Sequence, residues 1–208
     1  MPRGRPKEFV REEALARALD AFWATGYVGT GLGDLTAAMG IGRQSLYDTF
    51  GDKRQLFMEA LDAYCDGQEA QMRGLLEGAA TPGAALARFF DAWPEFMGGS
   101  MSDGCLVINT IGEASSLGDE QITGTLREHM ERFTVFVEEL VQAAMDSGEV
   151  DVALGARQVA SMVASAAHGV TVHARLEDTQ RLAADVAESL KELLGLQERP
   201  GLRLPEGR

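Results

Sequence analysis

The sequence predicts an all-α protein in two parts: a small three-helix N-terminal unit, then a larger helical domain, with about nine helices in total. Three observations lead there. Apolar residues recur at helical spacing along the whole chain, and no segment shows the strict alternation of a half-buried strand. Glycines at 26, 40, 42 and 51 divide the first quarter into short pieces, whereas later segments run long between breaks. Apolar content of 45% with 25% charged residues describes a folded globular chain, and no apolar run reaches the roughly 20 residues that span a bilayer.

Each element has its own justification. Leu15, Ala18, Leu19 and Phe22 share one helical face and place a first helix over 11–25, stopped by Gly26. Short helices fit 34–39 and 43–50, separated by Gly40-Ile41-Gly42. After Gly51-Asp52, the residues Leu56, Phe57, Ala60, Leu61 and Tyr64 mark a long helix over 53–76. Thr81-Pro82 is a strong helix start, a hydroxyl cap followed by proline in the first turn, and that helix carries Leu86, Phe89, Phe90 and Trp93. Ser102 or Asp103 is expected to cap a helix from Cys105 to about 113. Next comes a long helix over 119–145, with Leu126, Met130, Phe133, Phe136, Val137, Leu140 and Val141 on its buried side. The last two helices are placed at 154–176, rich in small residues, and 179–194, rich in leucine. The implied division is 1–52, 53–195 and a mobile tail over 196–208.

The net charge of −13 first argues against a nucleic-acid partner. Its distribution reverses that reading. Residues 1–55 hold eight Lys/Arg against seven Asp/Glu, whereas 56–208 hold eleven against twenty-five. The acidity therefore lies in the later domain, and Arg3, Arg5 and Lys7 form a locally basic arm suited to phosphates. Two cysteines make no disulfide framework, and the basic N-terminus is followed by no apolar stretch of a secretory signal, so a cytoplasmic location is expected. No phosphate loop, metal-ligand cluster or nucleophile–base set suggests an enzyme, a metal or a cofactor.

The 34–50 region has the parts of a helix-turn-helix: Leu35, Met39, Ile41, Leu46 and Phe50 are spaced to share a small core, Thr36 permits close approach, and Gly40 supplies the turn. The segment from Gly26-Tyr27 through Thr30, with Asp34-Leu35-Thr36-Ala37-Ala38-Met39-Gly40-Ile41-Gly42-Arg43-Gln44-Ser45-Leu46-Tyr47-Asp48-Thr49-Phe50-Gly51-Asp52-Lys53, resembles the DNA-binding signature of the TetR family of transcriptional regulators. The resemblance covers about residues 9–60 and extends to the later half only in helix number and length. It implies a dimeric regulator, a repressor by family habit, that binds a (pseudo)palindromic operator and is released by a small-molecule or electrophile inducer. It assigns phosphate contacts to Tyr47 and Lys53, and places Arg43, Gln44 and Ser45 against bases. The chemistry agrees, since arginine pairs bidentately with guanine and glutamine with adenine, and Lys53 opens a helix where free N–H groups already attract phosphate. Thr30 is a further candidate phosphate donor, and Arg3 and Arg5 suit a minor-groove arm. Gly31 and Gly42 stand where the family usually has Ser or Thr caps. Asp48 has three open roles: accepting from a cytosine amine, orienting Arg43, or facing the protein.

For the later domain the resemblance implies pairing through the last two helices, with Val159, Val163, Ala167, Val186 and Leu190 as candidates; the alternative is that both helices bury against their own chain. Trp93, Phe96, Met97, Met101, Cys105, Phe133, Phe136 and His168 are candidates for an inducer pocket, since Met and aromatic side chains line adaptable cavities as well as ordinary cores. Cys105, expected in a first helical turn that would stabilise a thiolate, resembles the reactive cysteine of electrophile-sensing members; Asp103 opposes this and a buried inert thiol is the alternative. His129, His168 and His173 lack a metal-ligand pattern. The competing function is an acidic helical binding protein that retains the fold without reading DNA.

Overall fold

The computed structural model describes residues 9–98, 104–173 and 179–196. Arg3, Arg5 and Met101 lie outside them, as do the side chain of Met97 and the tail from residue 197. The described residues form ten helical segments and no strand: α1 (Arg11–Gly29), α2 (Leu32–Met39), α3 (Arg43–Phe50), α4 (Lys53–Leu76), α5 (Pro82–Asp91), α6 (Trp93–Gly98), α7 (Leu106–Leu117), α8 (Glu120–Asp146), α9 (Ala156–Val172) and α10 (Thr179–Leu193). Only Ala92 separates α5 from α6. Pro94 explains that break: it has no N–H to give, and its ring collides with the carbonyl four residues back. Taken as one bent rod, α5 and α6 restore the expected nine.

α1 to α3 make the small unit. Ala14, Ala18 and Phe22 of α1 meet Leu35 and Met39 of α2 and Leu46 and Phe50 of α3, all buried. The turn between α2 and α3 depends on Gly40, whose φ of 68° lies in the left-handed region. In that conformation Gly40 N–H donates to the α2 carbonyls of Thr36 and Ala37, and Ile41 N–H reaches Thr36, which satisfies two carbonyls of the last turn. At α1 the expected stop at Gly26 appears as a break within the helix (φ 77°, ψ 170°), followed by a further turn to Gly29. α2 begins two residues earlier than expected, because Gly31 N–H donates to Asp34 Oδ2 at 2.9 Å and so caps the helix from within.

α4 leaves this unit through a reciprocal cap, Gln55 N–H to Asp52 Oδ1 and Asp52 N–H to Gln55 Oε1, and continues into the larger domain. There α5 and α8 pack on it, while α9 covers α8 and α10 lies across α5 and α6. Two expected boundaries move. α7 runs Leu106–Leu117 and is capped by Cys105 with no side-chain bond, while Ser102 and Asp103, the expected caps, lie outside the described residues. α9 starts at Gly155, whose N–H donates to Gln158 Oε1, and ends at Val172. Leu196 packs on the core beyond α10.

The left-handed φ at Gly40 is a testable constraint. A Cβ there has room, its nearest neighbour being Arg17 Nη1 at 3.5 Å, so strain in the backbone alone sets the cost. Gly40→Ala should destabilise by about 1–2 kcal/mol, read as a lowered denaturation midpoint.

Carboxylates give a second prediction. Asp119 accepts from the backbone N–H of Ile122 and Gln121 and faces Arg54 at 3.5 Å, which together hold its carboxyl below the usual range. Glu149 is lowered likewise by Thr81, Gly83 N–H and Ser147, and it joins the start of α5 to the end of α8. Folded-state values below the unfolded ones give stability that is complete above the ordinary carboxylate range near about 4 and is lost as pH falls through the depressed values. Thermal melts should fall more steeply below that range in the wild type than in Asp119→Asn, which lacks one of the two groups.

Candidate nucleic-acid interface and the cavity behind it

α3 places its chemistry outward because its apolar residues point inward. Leu46 and Phe50, one turn apart, are buried in the small unit; Arg43, Gln44 and Asp48 are exposed, Ser45 and Thr49 half-buried, and Tyr47 is 47% exposed. Gln44 Nε2 donates to Asp48 Oδ1 at 2.9 Å, so the acidic residue holds an amide of the same face rather than Arg43. An incoming adenine would have to compete with Asp48 for that amide.

Lys53 opens α4 and lies over the ring of Tyr27, its nitrogen 4.5 Å from the centroid. Burial pulls its pKa below the usual lysine value, while the carboxylate of Glu113 pushes it back up. A half-desolvated cation at a helix N-terminus is well placed for phosphate. Thr30 is different. It is 1% exposed, and its hydroxyl lies 2.5 Å from the Gly26 carbonyl and 2.7 Å from Thr25 Oγ1. It bridges the break in α1 internally, which removes it from the expected phosphate donors.

Three contacts tie the small unit to the start of the larger domain. Trp23 Nε1 donates to the Gly104 carbonyl at 2.9 Å. Val28 N–H donates to Glu113 Oε2 at 3.0 Å, and a Cβ at Gly26 would collide with the same carboxylate. Arg54 of α4 meets Asp119 at the cap of α8. The α7 region therefore braces α1 at two points.

Behind this brace is a cavity of about 140 Å³. Trp93, Phe96, Cys105, Phe133, Phe136 and His168, all expected at an inducer pocket, surround it. Tyr64, Gln68 and Met72 also line it, with His129; the first three share one face of α4 at a spacing of four, a pattern visible in the sequence but not singled out there. Tyr64 also stacks edge-on against Trp23, with centroids 5.1 Å apart. One buried ring thus touches both the cavity and the residue that ties α1 to Gly104. Phe133 lies 5.4 Å from His168, whose pKa is lowered by burial.

Comparison with known proteins gives this arrangement a family. Residues 14–60 match the bacterial regulatory proteins of the tetR family, and residues 82–190 match the tetracyclin repressor-like C-terminal domain. The chain belongs to the TetR family. The uncharacterized HTH-type transcriptional regulator YezE of Bacillus subtilis (strain 168) is 34% identical over 152 residues, covering 71% of this chain and 76% of YezE. The HTH-type transcriptional repressor ComR of Escherichia coli (strain K12) is 30% identical over 199 residues, covering 92% and 94%. Among solved structures, a cysteine-substituted form of the TetR-family regulator CifR, complexed with 26-base-pair operator DNA, has a TM-score of 0.74 at 30% identity, covering 90% of this chain and 98% of the other.

One expectation drawn from the TetR resemblance needs correction. Val159, Val163, Ala167 and Leu190, expected at a dimer contact, are buried within the single chain, and Val186 is partly buried against the same core. Small residues on α9 let α8 approach closely, so the stripe is internal packing. Among the described residues, the exposed large apolar side chains of this pair of helices are Met162, Val172 and Leu193, the last two about two-thirds exposed.

At Cys105 opposing influences meet. Backbone N–H groups of Val107 and Ile108 and the Tyr64 hydroxyl favour its thiolate, as a helix start should, but burial outweighs them and pushes the thiol above its usual value. Cys65 is raised too, chiefly by burial. In the folded protein both thiols should alkylate slowly at neutral pH and rapidly in denaturant, which timed mass spectrometry with iodoacetamide would show.

Proposed function

We propose that this TetR-family regulator is a repressor that binds a (pseudo)palindromic operator as a homodimer and is released by a reversible small-molecule inducer. The carrying observation is the outward set on α3, Arg43, Gln44 and Tyr47, held by buried Leu46 and Phe50 and followed by the phosphate-suited Lys53. Residues 1–52 are assigned to reading DNA, with Arg3 and Arg5 as a minor-groove arm, and residues 53–195 to sensing and pairing. ComR is a repressor and CifR is bound to operator DNA, which supports the same reading here.

One short helix reads few bases, so specificity calls for two half-sites about 34–36 Å apart and hence two copies. Met162, Val172 and Leu193 offer exposed apolar surface on α9 and α10 for that pairing. The cavity supplies the sensing site, and its raised thiol favours reversible binding over attack by an electrophile. Occupation of the cavity would act on DNA through Tyr64, Trp23 and the Gly104 carbonyl. A coupling of about 1–3 kcal/mol, roughly 5- to 150-fold in affinity, suffices for induction.

The test is binding to DNA from the gene's own upstream region, followed by fluorescence anisotropy. A repressor should bind tightly and lose about a thousandfold or more between about 50 and 200 mM salt. Tyr47→Ala and Lys53→Ala should each weaken binding about tenfold or more with the helical signal unchanged. An acidic helical carrier would show no specific binding at any salt.

A further inference from the structure

Two residues that line the cavity each carry a buried polar atom without a partner among the described residues. His129 sits on α8 with its side chain only 6% exposed and lines the cavity. Its Nε2 lies 3.1 Å from Asp62 Oδ1, and a carboxylate there requires Nε2 to carry the hydrogen. In the tautomer that donates from Nε2 the lone pair sits on Nδ1, and this buried atom has no hydrogen-bond partner among the described residues. Gln68 Oε1, from α4, is buried and equally without a partner, and Gln68 lines the same cavity. Both atoms accept. Neither can satisfy the other.

The charged side chains at the cavity cancel. Arg132 Nη2 donates to Glu69 at 2.7 Å and to Asp66 at 2.9 Å, and Glu69 takes a further bond from Arg73. A carboxylate ligand would find its only arginine already paired, and an ammonium ligand its only glutamate. Much of the remaining wall, with Met72, Phe89, Trp93, Met130, Phe133 and Phe136, is aromatic and thioether surface, and His168, Tyr64 and Cys105 also line it. In size, about 140 Å³ is close to the about 150 Å³ of an apolar cavity that accepts one benzene ring.

From these constraints we infer that the inducer is an uncharged single-ring compound bearing a hydroxyl or N–H donor, phenol-like in class, whose ring fills the aromatic wall and whose donor reaches His129 Nδ1 or Gln68 Oε1. The inference rests on the cavity being the inducer site proposed above. It gives the two unpartnered acceptors a role: they select a donor-bearing ring over its hydrocarbon isostere.

The experiment titrates phenol, toluene and benzoate into the full-length protein by calorimetry. Toluene matches phenol in shape but lacks the donor, and leaves water more readily. Phenol binding as tightly as toluene or tighter, with benzoate weaker than both, is the expected result. Toluene tighter than phenol, benzoate tighter than phenol, or no binding of any of the three overturns the inference. His129→Leu and Gln68→Met supply a second measurement. The phenol-to-toluene affinity ratio should fall about tenfold in at least one of them, and a ratio unchanged in both overturns the inference. Upstream DNA, titrated separately into the same preparation, tells the two ideas apart. Salt-dependent DNA binding without phenol binding removes the ligand class and leaves the regulator standing. Phenol binding without DNA binding does the reverse.

Discussion

The indole of Trp23 donates to the carbonyl of Gly104, one residue before Cys105, which stands at the N-cap of α7 and lines the cavity. Because Trp23 belongs to α1, this 2.9 Å bond fixes the first helix of the reading unit to the cavity wall. α1 in turn carries the buried face on which α2 and α3 are assembled. The orientation of the exposed residues of α3 is therefore inherited, through three helices, from a contact whose two ends lie 81 residues apart in sequence. Glu113 and Arg54 add polar contacts around the same junction, which limits how α1 can pivot without breaking several bonds together.

That junction also explains why the two units share one continuous core. α4 begins in the cap beside the reading helix and ends among the cavity residues, with Leu56, Phe57 and Leu61 buried near one end and Tyr64, Gln68 and Met72 along the other. Phe57 meets Phe22 edge-on at 5.0 Å, and Tyr64 meets Trp23 in the same way. Aromatic pairs of this kind add about 0.5–1.5 kcal/mol beyond the area they bury. They also hold a geometry, because an edge-on ring pair resists sliding.

What the sequence discloses and what it conceals follow from how local each signal is. Leu46 and Phe50 were legible because helical spacing alone assigns their face, and Thr81-Pro82 because cap chemistry is written in adjacent residues. The six described pocket candidates came together because bulky aromatic residues on several helices need a common interior. Thr30 misled because a hydroxyl beside a recognition motif looks available until the break at Gly26 gives it a carbonyl to bond. The small residues of α9 misled because they permit close helix approach without saying which helix approaches. His129 stayed unassigned because its meaning depends on Asp62 and on Gln68, both on a helix about sixty residues earlier.

The single rod α4 has a mechanical consequence. At about 1.5 Å per residue, its 24 residues span about 36 Å, with a phosphate-suited lysine at the first position and cavity wall along the distal half. Tilted about its midpoint by about 5°, such a rod swings Lys53 through about 1.6 Å, roughly half the length of a hydrogen bond. A displacement that the soft, methionine-bearing wall of a cavity can absorb is, at the other end of the lever, enough to lift a cation off a phosphate oxygen.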